Sequence, residues 1–117
     1  MIVKKSERTP ILQENPAGGT GVMERDHLLS LPHCPEKVRL YAHMELAPGA
    51  AVGYHEHHGE SECYYILEGE GTYNDDGTLC PVSAGDVTFT PSGHGHGLQN
   101  SGDKALTFMA LIVLDEM

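Results

Sequence analysis

Residues 38–46 alternate apolar and polar without interruption. Val38, Leu40, Ala42, Met44 and Leu46 fall on one side, and Arg39, Tyr41, His43 and Glu45 on the other. A period of two is the mark of a half-buried strand, because successive side chains leave the backbone on opposite faces. Further strand-like runs follow at close intervals, at residues 51–57, 63–68, 71–74, 79–82, 86–90, 94–100 and 105–114. Turn chemistry separates them. Residues 47–50 contain Pro48 and Gly49, residues 74–77 end in Asp76 and Gly77 and read as a hairpin, and Pro91 precedes Ser92 and Gly93. Ahead of the first strand, residues 14–21 and 30–36 read as loops, and only residues 26–31 offer a short helix. Residues 1–37 are accordingly an N-terminal arm with edge strands, part of the same domain as residues 38–117. Many short strands divided by turns predict an all-β sandwich or small barrel.

Composition narrows the class. Fourteen glycines and seven prolines in 117 residues exclude an all-helical bundle. A formal charge of −10 argues against nucleic acid or an anionic membrane as partner. Cys34, Cys63 and Cys80 are odd in number and contain no CxxC, so neither a zinc knuckle nor a disulfide framework is expected. The N-terminal residues lack an apolar core of signal-peptide type, which makes a reducing cytoplasm the expected compartment.

The candidate chemistry lies in histidine. Five of the eight histidines fall in two clusters: His55, His57 and His58, then His94 and His96. On a strand His55 and His57 share a face, while Glu56 and His58 point the other way. Glu62 follows a short turn and can swing back toward that face, and His96 comes from a distant strand. Three imidazoles and one carboxylate suit a divalent first-row transition metal (Mn, Fe, Ni, Co, Zn or Cu) and do not resemble a calcium cage. His94 has the parity of His96 and Tyr64 that of Glu62, so both are candidate catalytic groups beside the metal. Cys63 has the opposite parity and reads as a small buried hydrophobe.

The spacing adds a resemblance. Gly49-x5-His55-x-His57-x4-Glu62-x6-Gly69, followed by Gly85-x5-Pro91-x-Gly93-x2-His96-x3-Asn100, resembles the two sequence motifs of the cupin superfamily. The resemblance spans residues 38–114. It implies a jelly-roll β-barrel of the RmlC-like kind, with His55, His57, Glu62 and His96 as ligands of one metal inside it. Four such ligands leave two octahedral positions for water or substrate. A dication with one carboxylate is net positive, so the expected ligand is a small anion: a sugar acid, a 2-oxo acid or a hydroxy acid. Metal-assisted lyase, isomerase, decarboxylase or dioxygenase chemistry is the first reading, and a non-catalytic binding or sensor cupin the alternative. Oxalate decarboxylases share the ligand set, but they carry an arginine where this chain has Val52. That absence counts against oxalate as a decarboxylation substrate. The apolar arm residues Ile2, Val3, Ile11 and Leu12 lie outside a minimal barrel, and a homodimer that exchanges or covers them is expected. A mass near 12.7 kDa in light scattering would contradict it.

The strand period makes a sharp prediction. His57→Ala or Glu62→Ala should abolish tight metal binding, whereas His58→Ala, one residue along, should leave the affinity within about twofold by metal titration.

Overall fold

Alternation becomes structure through long-range pairing. The computed structural model describes residues 1–115, in which ten strands form two antiparallel sheets. In chain order these are β1 (Ile11–Glu14), β2 (Val22–His27), β3 (Val38–Leu46), β4 (Ala51–Glu56), β5 (Glu60–Glu68), β6 (Glu70–Asp75), β7 (Thr78–Ser83), β8 (Val87–Thr90), β9 (Gly95–Asn100) and β10 (Leu106–Leu114). One sheet runs β1-β2-β3-β10-β5-β8, the other β4-β9-β6-β7. Facing each other, they make an all-β jelly-roll barrel, as the turn-punctuated sequence predicts.

The inward face of each strand supplies the core. Leu40, Ala42, Met44 and Leu46 of β3 lie beside Leu106, Phe108, Ala110 and Ile112 of β10, and all are buried. Tyr64 and Ile66 of β5 continue the layer, and Leu98 of β9 and Tyr73 of β6 face it from the other sheet. Each large apolar side chain enclosed here contributes about 1.5–3 kcal/mol. Asn100 is buried as well. Its amide donates to the carbonyls of Leu46 and Lys104, and its oxygen accepts from the Gly102 N–H, so it ties β9 to the β3 end by backbone bonding. At the predicted hairpin, Asp76 and Gly77 adopt positive φ (52° and 102°), and the Gly77 N–H donates to Asn74 Oδ1.

Two expectations about the N-terminal region need correction. Residues 26–31 form no helix: Asp26 and His27 complete β2, and a short 3-10 turn begins only at Leu31. Nor is β2 an edge. It lies between β1 and β3, with Met23 opposite Leu46 and His27 opposite Ala42. Pairing along five residues of β3 outweighs the weak helical preference of a short segment with no cap. The arm is fastened by a two-point contact from the Arg8 guanidinium to the Asp26 carboxylate, at 3.0 and 3.3 Å. Ile2, Ile11 and Leu12 remain exposed.

Two irregularities shape the interior. On β4, Val52 faces Leu98 and His55 faces His96, so β4 carries one residue more than β9 over this stretch. This bulge lets Val52 and His55, three residues apart, both face inward. On β3, Val38 and Leu40 face consecutive residues of β10, which leaves Arg39 as the extra residue of a second bulge.

Beside the first bulge, Gly53 sits against the loop that carries Pro16 and Ala17. A Cβ at position 53 would run into the Ala17 carbonyl and the Gly19 nitrogen. Gly53→Ala should therefore lift that loop and cost about 1–3 kcal/mol in chemical denaturation, the usual range for overpacking.

Candidate metal centre

His55 projects from β4, His96 from β9 directly opposite, and Glu62 from β5 in the facing sheet. His57 follows β4 in the turn toward β5. His57, Glu62 and His96 are buried and His55 is partly so. One donor atom from each converges on a single point, all within 4.8 Å of one another. Nε2 of His96 lies 3.0 Å from Nε2 of His57 and 3.1 Å from Nε2 of His55. Glu62 Oε1 is 2.9 Å from His96 Nε2, 3.0 Å from His57 Nε2 and 4.0 Å from His55 Nε2.

The far side of each ring explains this orientation. His55 Nδ1 donates to the Gly53 carbonyl at 2.8 Å, and His57 Nδ1 donates to Glu60 Oε2 at 2.6 Å. His96 Nδ1 shares a 2.8 Å hydrogen bond with the Tyr73 hydroxyl, which also meets Thr90 Oγ1. A neutral imidazole that donates through Nδ1 carries a lone pair on Nε2. His55 and His57 therefore turn lone pairs toward the Glu62 carboxylate and the His96 ring. Buried lone pairs this close repel unless a proton or a cation lies among them. The donor set, three imidazole nitrogens and one carboxylate oxygen, fits a first-row transition metal, so the four residues form a group that can hold one.

Electrostatics agree with that chemistry. Burial alone would push the Glu62 carboxyl up, but where a proton takes the place of a cation on Nε2 of His57 and His96, hydrogen bonds from those rings hold it down at about 2. The carboxylate is thus available as a ligand throughout the neutral range. Hydrogen bonding to Glu62 raises the His57 imidazole, while burial lowers that of His55.

The other candidates are placed as follows. Tyr64 is buried and stacks on His96 with ring centroids 4.8 Å apart; burial first, then the charge of Glu62, pushes its hydroxyl well above its ordinary value. His94 does not share the inward side of His96. It precedes β9, where the strand period does not apply, and its exposed ring reaches Asp76 Oδ2 at 2.8 Å. His58, in the turn after β4, is exposed beside Glu56. Cys63 lies on the outer face of its sheet, opposite Phe89 and Leu111, and is half-buried.

Sequence reasoning passed over four residues. Tyr73 and Glu60 orient two of the histidines. Their signal was weak: Tyr73 has the inward parity of β6, and Glu60 is three residues from His57, within reach across a turn. Arg39 holds Glu60 with two contacts of 2.8 Å, reaching it from the β3 bulge. Arg25 projects inward from β2. Both arginines line the cavity of about 290 Å³ that opens on His55, His57 and Glu62. Val52 leaves no guanidinium at that position of β4, but β2 and β3 bring two to the cavity. The walls are otherwise largely apolar, among them Met23, Leu40, Met44, Val52, Phe108 and Ile112.

Comparison with known proteins points the same way. The cupin domain family model matches residues 42–113. A Thermotoga maritima protein named oxalate-binding protein is 49% identical over 114 residues, covering 97% of this chain and 94% of that one. The crystal structure of a Thermotoga maritima protein described as a predicted oxalate decarboxylase superposes with a TM-score of 0.92. It is also 49% identical, over 97% of this chain and 99% of that chain. The polyketide cyclase RemF of Streptomyces resistomycificus shares the fold at a TM-score of 0.76 and 19% identity, over 99% of this chain and 80% of that one.

The orienting bonds generate the prediction here. Tyr73→Phe and Glu60→Gln should each weaken metal binding by about 10–100-fold in competition titrations while leaving the circular dichroism of the barrel unchanged.

Proposed function

The chain belongs to the cupin family, and we propose that it holds one divalent transition metal on His55, His57, Glu62 and His96 and, through it, binds a small carboxylate ligand of the oxalate or 2-oxo acid class. The observation that carries this reading is the convergence of four donor atoms within 4.8 Å, with the His55 and His57 Nδ1 protons directed away from the centre. A transition metal at this point would supply open coordination positions and Lewis acidity. The chain's part is to fix the four donors, enclose them and admit the ligand through the cavity.

Three features support a small, oxygen-rich anion as ligand. The cavity, at about 290 Å³, suits a molecule of a few heavy atoms. Beyond Arg25, Arg39 and His27 its walls are largely apolar, so the several hydroxyls of a uronate would outnumber their partners, at a cost of about 1–3 kcal/mol for each one left unpaired, and a compact acid is preferred. The Thermotoga maritima relative is named for oxalate binding.

Metal-assisted turnover is the second reading, and Tyr64 favours it. Its hydroxyl stays protonated, lies in the cavity wall and stacks on a proposed ligand, so it can donate a proton to a bound acid. Decarboxylation of oxalate would need such a proton, since carbon dioxide leaves and the remaining carbon becomes formate. His94 faces away from the cavity and is not included in this proposal. We also propose a two-fold homodimer that covers the exposed arm residues Ile2, Ile11 and Leu12.

Metal analysis of the purified protein, followed by calorimetry with oxalate, tests the reading. One metal per chain and oxalate binding that a chelator abolishes are expected; oxalate binding that survives chelation would overturn it. Stripping the metal should lower the melting temperature by roughly 10 °C, because a ligand bound only by the folded chain stabilises it by mass action. Carbon-13 spectra of the oxalate mixture separate the two functions: formate and carbon dioxide mark turnover, and unchanged oxalate marks binding.

A further inference from the structure

Strand β2 brings a charge into the barrel. Met23, Arg25 and His27 share its inward face, and all three line the cavity that opens on the candidate metal centre. Arg25 sits opposite Met44, an apolar neighbour. Its Nε is sealed from solvent and has no hydrogen-bond partner. Asp26, on the outer face of the same strand, holds Arg8, and Glu60 holds Arg39 and His57. Among the described residues, Arg25 makes no ion pair. A guanidinium nitrogen enclosed this way is costly unless an acceptor meets it, and the cavity that the side chain lines is a place where one could.

We propose that Arg25 is the second anchor of the ligand: its guanidinium grips one carboxylate of a dianion whose other carboxylate faces His55, His57 and Glu62. The inference rests on the metal-dependent reading above and narrows its ligand to a dicarboxylate. A planar fork of N–H donors matches a carboxylate edge, and the pairing is charge-assisted. The charge balance agrees. A dication and Arg25 together exceed Glu62 by the charge a dianion supplies, while Arg39 is already neutralised by Glu60. Arg25 also acts on its surroundings: after burial, it is the next cause that lowers the His27 imidazole, and it opposes the rise of the Tyr64 hydroxyl. Arg25 and Tyr64, whose ring stacks on His96, line the same cavity.

Oxalate and oxamate separate this role from metal binding. Oxamate has nearly the same size and shape, but an amide replaces one carboxylate, so it carries one charge. In calorimetry the metal-loaded parent should bind oxalate at least about 10-fold more tightly than oxamate. Arg25→Met should lose about 10–100-fold in oxalate affinity, change little toward oxamate and keep its full metal content. Arg25→Lys, which keeps the charge and loses the fork, should fall between the two and serves as the variant should Arg25→Met fail to fold. A metal-loaded Arg25 variant that retains the parent's preference for oxalate would overturn the inference and leave the metal reading intact. A metal-loaded parent that binds neither probe would overturn both.

Discussion

Four converging donor atoms, three of them on buried side chains, that repel one another unless a proton or a cation lies among them are the constraint around which this barrel is arranged. Lone pairs of imidazole and carboxylate brought within 4.8 Å gain nothing from each other. Burial, which strengthens a well-partnered polar cluster, penalises this one until positive charge enters it. A sheet sandwich can bear that cost because its two faces are fixed by their own cores. Phe108, Ile66, Leu98 and Leu106 are almost fully enclosed, the strands that carry His96 and Glu62 are paired on both sides, and the edge strand that carries His55 is held along β9. The apolar layer holds the donors where polar chemistry alone would let them separate.

Orientation is achieved from behind. A backbone carbonyl, a carboxylate and a phenol occupy the Nδ1 side of the three rings, so rotation of any ring sacrifices a hydrogen bond. These partners come from different elements. Gly53 lies in the β4 bulge, Glu60 begins β5 and Tyr73 belongs to β6. Glu60 is itself held by Arg39 from the β3 bulge, so one chain of contacts runs from an interior strand of the larger sheet to the centre of the site. Irregular pairing is functional here. Without the extra residue in β4, a strict two-residue period would turn either Val52 or His55 outward, losing a core residue or a donor.

Much of this was legible in the sequence. The eight strand runs from residue 38 onward were marked by alternation and by glycine and proline turns, and each lies within two or three residues of an observed strand. The four donors were marked by residue type and spacing. The N-terminal third was harder to read for a physical reason: β2 places Arg25 and His27 on its buried face, so its apolar–polar alternation is broken where it matters. Strand periodicity is detected through apolar burial, and a strand that lines a polar cavity hides it. His94 was misplaced for the complementary reason. The period was extended one residue beyond the end of β9, into a turn where side-chain direction follows the turn's own geometry.

The sequence by itself determined the class of fold and the identity of the donors, because both depend on residue type and near-neighbour spacing. Alternation selects strands, glycines and prolines set where they stop, and His55, His57, Glu62 and His96 have the chemistry of ligands wherever they sit. Only the tertiary structure decided what surrounds them. That Tyr73 meets His96, that Glu60 and Arg39 brace His57, and that Arg25 enters the cavity through a strand first read as part of an arm are consequences of pairing across 19 to 23 residues and of two bulges. Such contacts depend on strand order and register, which are settled by the packing of two whole sheets against each other rather than by any local run of the chain.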